Sequence, residues 1–167
     1  MWRRRSRTVQ SDSVPTDAET TEMMQGLAET FVDGATLQGF SIDWTSASAL
    51  QLDPYCDAFM AGELTPTSRW TGRPTKDYLH TMVMSMGAYL GELMVRNGGG
   101  RWAYDIEQNN ACVDLDNDLR IWPHNKVFKR LTIGPEHSLA PYYHYGLTRE
   151  VLDGSIARER TDGTKPS

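Results

Sequence analysis

Between Tyr78 and Val95 the only clearly polar residues are His80, Thr81, Ser85 and Glu92. The spacing predicts a helix from about Thr75 to Asn97, stopped by the glycines at 98 to 100. A helix that is apolar nearly all round belongs at the centre of a domain. An acid, a histidine and two glycines inside the run argue against a membrane span. This buried helix is the element around which the rest of the chain has to be arranged.

After the glycines the hydrophobic period changes to two. Trp102, Tyr104 and Ile106 share one face of RWAYDI, Ala111, Val113 and Leu115 one face of ACVDL, and LRIW adds Leu119 and Ile121. EQNN and DND supply turn residues between them, so a three-stranded antiparallel meander packed on the central helix is predicted. Pro123 opens a short helix, NKVFKRL, expected to bury Val127, Phe128 and Leu131, and EHSLAPYYHYGL reads as an aromatic helix bent at Pro141. A last weak helix is expected past Thr148.

Ahead of the central helix, TDAE at Thr16 to Glu19 is a capping box, and Met24, Leu27, Ala28, Phe31 and Ala35 recur at helical spacing behind it. FSIDW reads as a short extended piece. Asp53-Pro54 reads as a helix start, with Asp as N-cap and Pro at the first position, carrying Tyr55, Cys56, Phe59 and Met60. Residues 62 to 74, rich in Thr, Pro and Gly, read as a loop. The fold class is therefore α+β: a central helix on a small meander, with further N- and C-terminal helices. One domain spans residues 16–153, between a disordered basic tail at 1–15 and a second disordered tail at 154–167.

At 39% hydrophobic and 23% charged, the 167 residues are ordinary for a globular chain, which could bury about two-thirds of its unfolded surface. Two distant cysteines, Cys56 and Cys112, and no apolar core behind MWRRRSR predict a reducing, cytoplasmic setting. Residues 8 to 68 hold ten acids and no Lys or Arg. Such a half disfavours broad contact with a phosphate backbone, so nucleic acid is an unlikely partner.

No catalytic constellation is legible: there is no GxSxG, HExxH, paired CxxC or GxxxxGK[ST]. Glu92 is the candidate carboxylate. A carboxylate in so apolar a neighbourhood must be paired, hydrogen-bonded or neutralised. Its structural reading is an ion pair with Arg96, or with Arg101, Lys126 or Arg130; its functional reading is a general acid or base with a histidine such as His124, or with Lys126. Gly87 and Gly91, one turn apart, predict close approach of another backbone, taken to be the sheet. Asp114, Asp116 and Asp118 match the first calcium-loop positions, but Leu119 and Asn125 stand where glycine and glutamate are needed, so a hairpin turn is expected and no metal. Lys126, Lys129 and Arg130 fall on one side of a helix and could meet an acidic partner, the chain's own first half included.

The segments GAYLGE, GGRWAYD, the short strand pair, WPHNKVFKRL and GPEHSLAPYY, in that order, make residues 40 to 147 resemble small bacterial domain-of-unknown-function families best known from high-GC actinobacteria. The resemblance marks Gly87, Gly91, Glu92, Gly99, Trp102, Pro123 and Lys126 as pattern positions. It implies a fold and a cytosolic bacterial setting rather than a reaction. The functional expectation is a non-enzymatic protein-binding or accessory module, with Lys126, Lys129, Arg130, Glu92 and Trp102 as candidate binding residues, another protein as partner, no membrane span and no cofactor. The alternative is a small enzyme using Glu92 with a His or Lys in a pocket. Oligomeric state is not set by the sequence.

Overall fold

The computed structural model describes residues 13–151, which form an α+β domain of five α-helices and a three-stranded antiparallel sheet. Helix α1 (Asp17–Leu37) starts at the capping box: Thr16 accepts from the Glu19 N–H at 3.1 Å, and the Glu19 carboxylate accepts from the Thr16 N–H at 2.8 Å. Thr20, Met24, Ala28, Phe31 and Ala35 form its buried face. FSIDW pairs with no strand among the described residues. Its Asp43 instead makes a turn, the carboxylate accepting from the Thr45 N–H and the Thr45 and Ser48 hydroxyls.

A 3-10 turn (Ser46–Ser48) runs directly into α2 (Ala49–Met60). No helix starts at Asp53, because Pro54 lies inside the continuous α2. The carbonyl that Pro54 leaves without a helical donor belongs to Leu50, which is exposed, so water can take that bond. The Asp53 side chain is thereby released for a contact elsewhere in the fold.

Helix α3 (Lys76–Gly98) is buried without interruption from Ser85 to Met94. Its first turns depart from the expectation of all-round burial. Tyr78, His80 and Thr81 face water while Leu79, Met82, Val83 and Met84 are half-buried, the polar pair His80 and Thr81 marking the open side. The buried stretch packs against α1, the sheet, α4 and α5.

The sheet consists of β1 (Gly100–Asp105), β2 (Asn110–Leu115) and β3 (Arg120–Ile121), in that order. Trp102 lies opposite Val113, and Val113 opposite Ile121. The predicted meander is present but shorter: Ile106 falls in the β1–β2 turn and is exposed, and Leu119 precedes the two-residue β3. Helix α1 covers β1, and Asp17 accepts from the Tyr104 N–H at 3.2 Å.

Helix α4 (Pro123–Thr132) has Pro at its start, as expected, and buries His124, Lys126, Val127, Arg130 and Leu131. Phe128, expected inside, is 51% exposed, because the inward positions around it are taken by Lys126, Val127, Arg130 and Leu131. After a 3-10 turn (Pro135–His137), α5 (Leu139–Thr148) is one continuous helix. Pro141 sits in its first turn, where no intrahelical donor is required, so the expected bend has no cause. Among the described residues no helix is long and apolar enough to cross a membrane. No helix follows Thr148 over residues 149–151, because Arg149 takes a left-handed conformation (φ 63°) that ends α5. The second expected tail, and all of the first but residues 13–15, lie outside the described residues.

Candidate functional site

The buried centre of α3 brings together most of the residues singled out in the sequence. Glu92 is 2% exposed, and three donors converge on its carboxylate: Trp102 Nε1 of β1 at 2.9 Å, Arg96 Nε at 2.9 Å and Gln25 Nε2 of α1 at 3.3 Å. The ion pair with Arg96, four residues on, is the structural arrangement read from the sequence. The Arg96 guanidinium also lies over the Trp44 ring, 3.7 Å from its centroid. Charge, indole and amide thus occupy both oxygens of Glu92, which joins α1, α3 and β1.

Gly87 and Gly91 admit the neighbours of this acid. A β-carbon at Gly91 would run into the Trp102 ring and lie 3.0 Å from Pro123 Cγ, and one at Gly87 would lie 2.5 Å from His124 Cδ2. The close partners are therefore one indole from β1 and the first turn of α4, where a sheet backbone had been expected. His124, 3% exposed, places Nε2 3.2 Å from the Met84 carbonyl. A carbonyl only accepts, so Nε2 carries the proton, and the buried Nδ1 has no hydrogen-bond partner among the described residues.

Burial pushes the His124 pKa down to about 4, against a smaller opposing pull from its bond to Met84. The imidazole is neutral when folded and protonates first in the unfolded chain, near its ordinary value of about 6.5. Its contribution to stability is complete above that value and is lost as the pH falls from about 6.5 to about 4. We expect about 3 kcal/mol of acid destabilisation from this residue. Urea midpoints measured across that range for wild type and His124→Gln test it: the two curves should diverge below pH 6.5, and parallel curves would refute it.

The basic residues of α4 do not share one exposed face. Arg130 is 4% exposed and donates to Asp53 at 2.8 Å and Asp57 at 2.7 Å, both on α2. Lys126 is 6% exposed, its ammonium 5.2 Å from the centroid of the Tyr142 ring. Lys129 alone of the three faces solvent. Two of the three cations are thus committed to the interior, and the acidic half docks on α4 within the molecule through Asp53 and Asp57.

Asp53 went unrecognised as an organising residue. Besides Arg130 it accepts from the Leu139 and Ala140 N–H groups at 3.0 and 3.1 Å, and so caps α5 from another element. The Asp-Pro pair was legible as a capping signal, but for the wrong helix.

Among the described residues no group of three or more His, Cys, Asp or Glu is placed to hold a metal ion. Asp114 forms a two-pronged pair with Arg120 at 2.6 and 2.8 Å across the β2–β3 turn, and the Arg120 hydrogen bond holds its carboxyl below the usual range. These two residues, with Leu115, Asp118 and Leu119, line a depression of about 240 Å³. Burial pushes the thiols of Cys56 and Cys112 up to about 12 and about 11, which makes both poor nucleophiles.

A second feature lies in the loop between α2 and α3. Thr67 bridges Pro74, the Ser68 N–H donates to the Arg73 carbonyl at 2.8 Å, and the Gly72 N–H returns to Ser68 at 2.9 Å. This small hairpin holds Trp70 89% exposed between exposed Arg69 and Arg73. A large aromatic between arginines was the available signal, passed over because Thr, Pro and Gly marked the stretch as a connector. Comparisons with protein-family models, curated proteins and solved structures give no match to this chain.

Proposed function

We propose that the protein is a cytoplasmic, non-enzymatic protein-binding or accessory module, and that the hairpin at residues 67–74 belongs to its binding surface. The observation that carries this reading is Trp70, displayed at 89% exposure on a loop fixed by its own hydrogen bonds. Tryptophan and arginine dominate binding energy at protein interfaces, and a loop held in place loses little entropy on docking. The chemistry-bearing groups of the interior point the same way. Glu92 and Arg130 are engaged in ion pairs and His124 is neutral and enclosed, all three joining elements of the fold. The buried thiols suit a reducing compartment, and a cytosolic bacterial setting is also what the resemblance to actinobacterial families implies.

The test is capture from a lysate of the protein's own cells on immobilised full-length wild type and on a Trp70→Ala/Arg69→Glu/Arg73→Glu variant. Wild type should retain a stoichiometric companion, an untagged copy of itself included, that the variant loses. Equal recovery by both, or none by either, counts against the proposal. Because the three side chains are exposed, urea midpoints should agree within about 0.5 kcal/mol.

A further inference from the structure

Resting on the protein-binding reading, we infer that the partner of the Trp70 hairpin is a second copy of this chain, engaged through the outward face of α1. Residues 65 to 76 contain Arg69, Arg73 and Lys76 and no acid. All three bases are exposed. Arg96, Arg120 and Arg130 have carboxylate partners within the fold, whereas no ion pair reaches Arg69 or Arg73 among the described residues.

The complementary charge lies on α1. Glu22, Glu29 and Asp33, at i, i+7 and i+11, lie along one side of the helix, all exposed, and no ion pair reaches them among the described residues. Exposed Met23 flanks them. Between Glu22 and Glu29 stands Gly26, where a β-carbon would meet nothing within 4 Å. A mid-helix glycine costs about 1 kcal/mol relative to alanine, and here no internal contact requires one. An indole edge would find a shallow place there, with carboxylates on either side for the two guanidinium groups.

The root of the hairpin loop adjoins the C-terminal end of the same α1, where Gln38 Nε2 donates to the Leu64 carbonyl at 2.9 Å. Each molecule therefore carries both halves of the contact. A two-fold axis would make the contact twice, hairpin of each on α1 of the other. A phosphate surface is the weaker candidate, because a chain of net charge −5 offers it only three bases at this site.

Sedimentation velocity of the full chain over a concentration series tests this. Wild type should dimerise, and Trp70→Ala should weaken the dimer at least about tenfold. Arg69→Glu/Arg73→Glu and Glu22→Lys/Glu29→Lys/Asp33→Lys should each be monomeric alone. Mixed together they should form a heterodimer, since both of its contacts then pair opposite charges. Urea midpoints near wild type show that the variants remain folded. A monomeric wild type, or a mixture that stays monomeric, overturns the inference. If wild type is monomeric yet the hairpin variant loses a captured companion, the inference falls and the protein-binding reading stands; if neither dimer nor companion is found, both fall. Binding of monomers to phosphatidylglycerol vesicles through Trp70, without dimerisation, also overturns it.

Discussion

Gly91→Ala should lower the free energy of unfolding by about 3 kcal/mol, although alanine is the better helix former by about 1 kcal/mol. The added methyl would collide with the Trp102 ring and sit 3.0 Å from Pro123 Cγ. The ring has nowhere to go, since Trp102 is 2% exposed and its Nε1 is held by Glu92. Gly34→Ala on α1 is the control: nothing lies within 4 Å of its added carbon, so it should gain up to about 1 kcal/mol. Urea denaturation of both variants gives the comparison. Equal shifts of the same sign would show that the packing of α3 on Trp102 is not as described.

Asp53→Ala should cost about 3 kcal/mol, the low end of the loss when one partner of a buried ion pair is removed, because the Asp53 carboxylate is itself partly exposed. Three interactions go together: the bond from Arg130, which is 4% exposed, and those from the Leu139 and Ala140 N–H groups. Asp57 remains beside Arg130 at 2.7 Å, which keeps the guanidinium from being wholly stranded. Asp53→Asn retains an acceptor for α5 and loses the charge, so its urea midpoint should fall between those of Asp53→Ala and wild type. The two substitutions should also raise hydrogen exchange in α5 well above that in α1. A loss of less than about 1 kcal/mol for Asp53→Ala would remove it from the structural role assigned here.

What could be read in advance divides along the range of the interactions. The capping box at Thr16, the α1 stripe, the glycine stop after α3 and the Pro123 start are local rules, and each is present in the structure. The Glu92–Arg96 pair was legible for the same reason, being one helical turn apart. The alternation read for the strands is not present: Trp102 and Ala103 are buried side by side in β1, and Ala111, Cys112 and Val113 in a row in β2. Asp53 was misread because its partners lie about 80 residues away in the chain. Local grammar offered it only the helix beginning beside it. The basic trio on α4 was correctly placed on a helix, but spacing cannot say whether such a side faces water or α2, and Asp57 together with Asp53 decided that for Arg130. Trp70 was missed because turn residues describe a backbone and are silent about what the backbone displays.

The way β1 is closed has a consequence for the unassembled or damaged chain. Its outer rim is sheathed by a helix from the far end of the sequence, fastened where Asp17 takes the Tyr104 N–H. Sheathing of this kind withholds the β1 edge from a foreign strand while α1 is seated, and uncovers it when α1 lifts. Proteolysis or fraying that frees α1 would therefore do more than loosen a helix: it would open the β1 edge to a neighbour's strand.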